Sequence, residues 1–195
     1  MKNIAVILGH PAGKEASFCA ALAKAYEKGA RQAGHAVSFI DIGGMDIPYL
    51  KNRSDYYDPG LSAEIKTIQN KLNAATHWII IYPLWLGCMP AKLKAFLEWA
   101  LSPGFAYDTA HKKNPLSQKL LRGKSAHVIV TMGMPGWFYK WFYRAHSLKA
   151  FERNMLKFCG IAPVRKTVYG FVEAVSQDVR QKWLMKMENF GKYGV

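Results

Sequence analysis

Five short apolar runs alternate along the chain with stretches in which apolar residues recur at helical spacing. Short apolar runs of this kind are typical of strands buried on both faces, as in a parallel sheet. The predicted strands are Ile4–Leu8, Ala36–Asp41, Trp78–Tyr82, Ala126–Val130 and Val164–Tyr169. Pro83 ends the third run, since proline cannot donate to a strand ladder.

A helix is predicted after each of the five strands. The first follows Ser17, a suitable N-cap, and ends near Ala33, before Gly34. The others follow Leu61, start at Pro90, run from the aromatic stretch 137–143 to about Cys159, and run from Ser176 towards Phe190. The segment Gly43–Gly60 is predicted to be a loop because it is rich in turn residues.

Alternating strands and helices require right-handed crossovers and a parallel sheet. We predict an α/β fold with a doubly wound five-stranded parallel sheet, strand order 2-1-3-4-5, and helices on both faces. The loops after strands 1, 3 and 4 then meet at one edge of the sheet, where ligands bind in such folds.

Composition fits a single domain over residues 1–195, because half of the residues are apolar. No apolar run approaches the ~20 residues that span a bilayer. The three cysteines are widely spaced and form no CxxC pair, so we expect neither a disulfide framework nor a metal site. A reducing cytoplasm is the expected location.

Positive charge is concentrated in the second part of the chain. Residues 1–110 hold 11 Lys and Arg against 9 Asp and Glu, whereas the remainder holds 16 against 4. The basic residues are scattered and no nucleic-acid motif accompanies them, so nucleic acid is not the expected partner. Steering of anionic small molecules and docking beside an anionic membrane both fit.

The segment Ile79–Lys94 predicts a strand, an aromatic loop and a helix. Trp85 lies in that loop, at the carboxyl end of a predicted strand, where it could stack on a flat ring. The alternative is a tryptophan that packs on its own domain, and spacing alone leaves both interpretations open.

The loop after the first strand precedes a helix N-terminus, which can hold a phosphate through unpaired N–H groups. His10, Ser17 and the amides of Phe18 and Cys19 are suitably placed. Neither GxGxxG nor GxxxxGK[ST] occurs, so an ordinary capped loop is the competing interpretation.

Three segments resemble the NAD(P)H:quinone oxidoreductase family of flavodoxin-fold flavoproteins. They are Tyr82–Trp99 followed by Gly104–Tyr107, the stretch from Gly9-His10-Pro11 to Ser17–Leu22, and Thr131–Met134. The resemblance implies a flavodoxin-like fold, a bound flavin, NAD(P)H as co-substrate, a quinone-like acceptor and a homodimer. FMN is the expected flavin, with FAD as the alternative, because Gly43–Gly60 is short compared with the insertion that holds adenine in FAD-using relatives.

The resemblance also implies roles for individual residues. Those implied to bind the cofactor are His10, Ser17, Phe18 and Cys19 at its phosphate, Pro83, Leu84, Trp85 and Leu86 at its ring, and Thr131, Met132, Gly133 and Met134 along its polar edge. Cys19 stands where the family usually has asparagine. Tyr139 and His146 are the implied catalytic pair, and Phe105 and Tyr107 are implied to close the pocket across a dimer interface.

We therefore predict an NAD(P)H dehydrogenase (quinone) with ping-pong kinetics. Two other functions remain open. One is a regulatory flavoprotein that docks on a membrane transporter through its basic C-terminal half, and the other is an electron carrier without NAD(P)H turnover.

Overall fold

The sheet of the protein, in a computed structural model that describes residues 1–14, 17–57, 60–109 and 119–195, has the predicted architecture. Within these residues, five parallel strands pair in the order β2-β1-β3-β4-β5, which confirms the fold class. The strands are β1 Asn3–Leu8, β2 Ala36–Asp41, β3 His77–Pro83, β4 Ser125–Thr131 and β5 Val164–Tyr169.

The carboxyl ends of β1, β3 and β4 lie side by side. Leu8 pairs with both Asp41 and Ile81, and Pro83 pairs with Thr131. β3 and β4 each extend one residue beyond both ends of the predicted run, because their ladders continue past the apolar residues. The loops predicted to converge therefore begin at neighbouring positions of one sheet edge.

Helices cover both faces of the sheet. They are α1 Phe18–Gln32, α2 Arg53–Tyr57, α3 Ala63–Ala74, α4 Ala91–Ala100, α5 Gly136–Trp141, α6 His146–Ala150, a π-helical segment Phe151–Leu156, α7 Lys157–Cys159 and α8 Gln177–Tyr193. One apolar core joins α1 and α8 to the sheet, and a second joins α3, α4 and the segment 148–161 to the other face. None of the helices in the described residues is long and apolar enough to cross a membrane.

Serine hydroxyls cap three of the helices. Ser17, Ser62 and Ser176 accept hydrogen bonds from the backbone N–H groups of Ala20, Ile65 and Val179 at 3.1, 3.2 and 3.4 Å. The predicted caps at Ser17 and Ser176 are confirmed. Each satisfies one of the N–H groups that a helix start leaves without an intrahelical partner.

The predicted single helix from the aromatic stretch to Cys159 is wrong. The chain breaks after α5, where Arg144 and Ala145 both have φ of +49°. The cause is Tyr139: its carbonyl accepts the N–H of Ala145 at 3.1 Å, and its hydroxyl contacts Ser147 and Leu148, so the chain turns around this buried ring.

The loop predicted over Gly43–Gly60 contains a helix, α2, which is a second correction. The Oδ1 atom of Asn52 accepts the backbone N–H of Asp55 at 3.0 Å and the hydroxyl of Ser54 at 2.5 Å. This short helix is exposed and held by a side-chain cap, so it has no buried apolar stripe that periodicity could detect.

Glycines let α1 and α8 touch through their backbones. A Cβ on Gly29 would lie 1.9 Å from the carbonyl oxygen of Glu188, and one on Gly191 would lie 2.1 Å from that of Tyr26. No other residue fits at either position without separating the two helices. The position of α1 against the sheet is therefore tied to that of α8.

Candidate active site

A cavity of about 600 Å³ opens at the sheet edge where β3 and β4 end. It lies between the loop after β3, the loop after β4 and the α5–α6 segment. Its lining residues are Leu84, Leu86, Gly87, Met134, Tyr139, Phe142, Tyr143, His146 and Ser147. The volume and the mainly apolar walls are those of small-molecule sites in proteins.

The loop after β3 is a tight turn that presents apolar side chains at this edge. Trp85 and Cys88 exchange backbone hydrogen bonds of 2.8 and 2.9 Å, and the turn between them places Leu86 and Gly87 at φ of +46° and +75°. Leu86 is fully exposed and Trp85 is half exposed. The predicted ring-binding residues Leu84, Trp85 and Leu86 therefore project where a flat ligand can be covered, while Pro83 is buried at the strand end.

The loop after β1 lies against Trp85. The His10 ring makes an edge contact with the Trp85 ring, with centroids 5.7 Å apart. The Nδ1 atom of His10 accepts the backbone N–H of Ala12 at 3.1 Å. Burial lowers the pKa of His10, and the nearby Asp41 carboxylate opposes this effect.

Asp41 anchors this loop, and sequence reasoning missed it. Its carboxylate accepts the N–H of Lys14 and that of Gly43, both at 3.0 Å. The Lys92 ammonium donates to the Gly43 carbonyl at 2.6 Å. The available signal was the pairing of strands 1 and 2, which places the end of β2 beside the loop after β1.

The N-terminus of α1 offers a place for an anion. The Ser17 hydroxyl takes the N–H of Ala20, which leaves the N–H groups of Phe18 and Cys19 without an intrahelical partner. The helix dipole adds partial positive charge at the same point. This geometry suits a phosphate, and a phosphate site formed by His10, Ser17, Phe18 and Cys19 stays a prediction.

The side chains of Phe18 and Cys19 face away from that point. The Phe18 ring packs on Trp183 of α8, with centroids 5.9 Å apart. The Cys19 thiol lies 3.2 Å from the Thr131 hydroxyl, and burial raises its pKa to about 11. Cys19 is thus a neutral side chain between helix and sheet, and only its backbone N–H is available to an anion.

The loop after β4 is held by backbone hydrogen bonds to the end of β5 and the residues that follow it. The Met132 N–H donates to the Tyr169 carbonyl at 2.9 Å, and the carbonyls of Met132 and Met134 each accept an N–H at 3.2 Å, from Val172 and Phe171. Gly133 is exposed, and a Cβ there would have no heavy atom within 4 Å. The predicted residues Thr131 and Met132 are buried beneath this open surface, while Met134 lines the cavity.

Tyr139 and His146 both line the cavity, but Tyr139 is buried and His146 is exposed. His146 is exposed on its wall. The Tyr139 hydroxyl is buried, lies 2.9 Å from the Ser147 hydroxyl, and accepts the N–H of Leu148 at 3.3 Å. Sequence reasoning also missed Ser147, whose hydroxyl is hydrogen-bonded to the Tyr139 phenol. The spacing of a continuous helix could not have predicted this contact between Tyr139 and Ser147.

Phe105 and Tyr107 are not among the lining residues of this cavity. The Tyr107 hydroxyl donates a hydrogen bond to the Tyr56 hydroxyl at 2.6 Å. Both tyrosines line a neighbouring cavity of about 260 Å³. Burial raises the pKa of Tyr107. An apolar groove of about 570 Å³ shares Ser147 with the first cavity and Met155 with the second, so the three hollows lie along one face.

Metal ligation has no candidate cluster in the described parts of the chain. No group of three or more His, Cys, Asp or Glu side chains there is arranged to hold an ion.

Comparison with known proteins gives one family and several relatives. The model of a family described as having a flavodoxin-like fold matches residues 2–190. An uncharacterized NAD(P)H oxidoreductase of Haemophilus influenzae is 27% identical over 183 residues, which cover 92% of this chain and 89% of the relative.

Two solved structures share the fold. The NAD(P)H:quinone oxidoreductase of Methanothermobacter marburgensis is 20% identical, with a TM-score of 0.79 over 98% of this chain and 96% of that one. An FMN-dependent NADH-azoreductase of Bacillus anthracis, solved with FMN, is 15% identical, with a TM-score of 0.77 over 99% of both chains. At these identities the likeness shows the fold.

Proposed function

Since the chain belongs to the flavodoxin-like fold family, whose model matches residues 2–190, we propose that it is an NAD(P)H:quinone oxidoreductase that binds FMN and reduces a quinone or similar acceptor with NAD(P)H. The observation that carries the proposal is the position of two features at one sheet edge. The start of α1, whose N–H groups can hold an anion, contacts the end of β4 through Cys19 and Thr131, and the loop before it contacts Trp85 through His10. The apolar cavity of about 600 Å³ opens at the same edge. Flavin mononucleotide has a matching group for each feature: a phosphate for the start of α1 and a flat ring for the cavity.

The residues at this edge fit FMN. The N–H groups of Phe18 and Cys19 would hold the phosphate, and the loop from Leu84 to Gly87 would cover the ring. Open space at Gly133 would let backbone approach the polar edge of the ring. When bound, the flavin supplies hydride acceptance and donation, and the protein supplies position and electrostatics.

Solvent-exposed His146 is the group best placed to move a proton at the cavity. Its imidazole can donate to a substrate oxygen, whereas the Tyr139 hydroxyl is held by Ser147 and orients the wall. NAD(P)H and the acceptor would occupy the one cavity in turn, which gives ping-pong kinetics.

A second copy of the chain would complete the site under this proposal. The apolar groove that continues from the cavity, with Met89 and Phe151 in its lining, offers a surface for a homodimer. Phe105 and Tyr107 lie beyond it; the partly exposed Phe105 would face the partner's cavity, while the buried Tyr107 would support that segment from within its own subunit. The three cysteines are unpaired, which supports a reducing cytoplasmic location.

The experiment is an absorption spectrum of the purified protein, followed by heat release and chromatography of the chromophore. We expect FMN, bleaching of its absorbance by NAD(P)H, and parallel double-reciprocal lines with a quinone acceptor. Elution as FAD would overturn the cofactor assignment. A protein that neither contains nor takes up flavin would overturn the proposed activity.

His146→Gln tests the proton-transfer role. We expect kcat with the quinone to fall more than about tenfold, in the range that general acid catalysis contributes, while FMN content is unchanged. His35→Gln, at the opposite edge of the sheet, is the matched control and should retain full activity. Equal activity of the two variants would remove His146 from the mechanism.

A further inference from the structure

An exposed aromatic and basic surface covers α5 and the turn after it. We call it the α5 surface and define it by Trp137, Lys140, Trp141, Phe142, Tyr143 and Arg144. Trp137 and Trp141 are 68% and 75% exposed and lie one helical turn apart, so they share a face of α5. Large apolar side chains concentrated in this way mark a surface that meets a partner.

The aromatic rings continue from this surface to the rim of the cavity. Phe138 stacks on Phe142 with centroids 5.0 Å apart and planes at 6°. Trp137 makes an edge contact with Phe138, and Phe142 makes one with Tyr143. Because Phe142 and Tyr143 line the cavity, the exposed tryptophans and the opening of the cavity belong to one surface.

Apolar side chains also project near the cavity from strained backbone. Leu86 and Phe171 have φ of +46° and +55°, a region that residues other than glycine rarely adopt. Leu86 is fully exposed and Phe171 is 46% exposed. The N–H of Phe171 donates to the Met134 carbonyl at 3.2 Å, which keeps Phe171 beside the loop that leads into α5.

The charge of this region selects the kind of partner. Residues 131–150 contain Lys140, Arg144 and Lys149, all exposed, and no Asp or Glu. A two-fold contact between copies would set this positive surface against itself. An anionic lipid surface is complementary to it, and tryptophan and tyrosine prefer the level of lipid headgroups.

We propose that the α5 surface docks on an anionic lipid bilayer, with Trp137 and Trp141 at headgroup level and the cavity opening towards the lipid. A lipophilic acceptor dissolved in the bilayer could then enter the cavity directly. That consequence for the substrate rests on the proposed function, whereas the docking does not.

Vesicle flotation of the full-length protein tests the docking without any substrate. We expect the protein to float with vesicles of equal parts phosphatidylcholine and phosphatidylglycerol, to bind vesicles of phosphatidylcholine alone more weakly, and to dissociate as salt is raised. Since no turnover is measured, failure of docking and failure of the proposed reaction are distinguishable.

Variants locate the contact. The double variant Trp137→Ser/Trp141→Ser should lower the partition coefficient more than about tenfold, because it removes the two most exposed aromatic side chains of the α5 surface. Tyr193→Ser, also 75% exposed but near the opposite edge of the sheet, should leave it unchanged. Lys140→Glu should weaken binding more than Lys182→Glu, which changes the net charge equally on α8.

Three results would overturn the proposal. The wild-type protein could stay unbound on the mixed vesicles, or the double tryptophan variant could float as well as the wild type. The third is a changed oligomeric state of that variant in sedimentation equilibrium, which would assign the α5 surface to a second copy. Quenching of wild-type tryptophan fluorescence by brominated lipid gives a measurement that depends on no variant.

Discussion

The two walls of the candidate active site are built in opposite ways. The wall formed by the loop after β1 is fixed by side chains that accept backbone N–H groups: Ser17, His10 and Asp41 accept hydrogen bonds of 3.0–3.1 Å. The wall formed by α5 and α6 turns around one buried phenol, and its other aromatic rings are largely exposed. The first wall is shaped to hold one group in one place, and the second is shaped to meet something outside the protein.

This difference separates two requirements of a redox site. A tightly held cofactor needs a preorganised anchor, because each ordering step on binding costs affinity. An exchanging substrate needs an accessible face. If the two walls divide these tasks, substitutions in each wall should affect different properties, and the sheet beneath should affect neither task directly.

Acid stability should depend on the shared sheet and on neither wall. Burial lowers the pKa of His77 to about 3 and that of His127 to about 4. In the unfolded chain both take up protons near pH 6.5, so their stabilising effect is complete above that pH. It is lost as pH falls towards 4, by about 1.4 kcal/mol per pH unit for each histidine.

His127→Gln should flatten this dependence while retaining a hydrogen-bonding group near Thr167. Urea unfolding at pH 7, 6 and 5 measures it, through the difference in free energy of unfolding between variant and wild type. That difference should shift in favour of the variant as pH falls. A constant difference across the three pH values would contradict the assignment.

Gly43→Ala should distort the wall formed by the loop after β1, which we call the anchoring wall. A Cβ there would lie 2.2 Å from backbone atoms of Gly13, so the two loops must separate, at a cost of about 1–3 kcal/mol in stability. FMN affinity should fall with it. Gly44→Ala is the adjacent control, because a Cβ at Gly44 has no neighbour within 4 Å. Equal FMN dissociation constants for the two variants would break the comparison.

Ser17→Ala should cost about 1 kcal/mol of stability, and Ser176→Ala should cost a similar amount, since each removes one helix cap. Only the first should weaken FMN binding, because α1 begins at the candidate site, where Cys19 contacts Thr131, and α8 does not. Isothermal titration with FMN and thermal unfolding of both variants measure the two effects. Weakened binding by both would mean that general destabilisation, and not the anchor, controls affinity.

Tyr139→Phe should have the smallest effect. It removes the hydrogen bonds of the phenol and should lower stability by about 1 kcal/mol, with kcat reduced less than about tenfold. Ser147→Ala removes the same contact from the other side and should behave alike. A much larger loss of kcat in Tyr139→Phe alone would give the phenol a direct catalytic role.

Sequence patterns predicted the anchoring wall better than the exposed one. The buried runs predicted all five strands, and Ser17 marked the start of α1, because burial and capping are local and periodic signals. The strand order came from the known order of doubly wound folds and not from these runs. Asp41 was missed because its partner Lys14 is 27 residues away and is brought near only by the pairing of β1 with β2.

Sequence periodicity failed to predict the exposed wall, formed by α5 and α6, for a different reason. Residues 137–143 have no glycine or proline, and their spacing continues smoothly into the next helix. The break at Arg144 and Ala145 arises from the contacts of Tyr139 with residues after the turn, which are tertiary interactions. Ser147 could be recognised only after this turn was known.

Because α1 and α8 are in backbone contact, substitutions in α8 can alter the proposed phosphate site at the start of α1. A substitution at Gly191 would shift α8, and α1 would move with it because Gly29 leaves no slack between them. The N–H groups at the start of α1 would then be displaced without any change to the residues around the cavity. In a library of random variants, mutations in the last helix should therefore appear among those that retune cofactor affinity, although they touch no ligand.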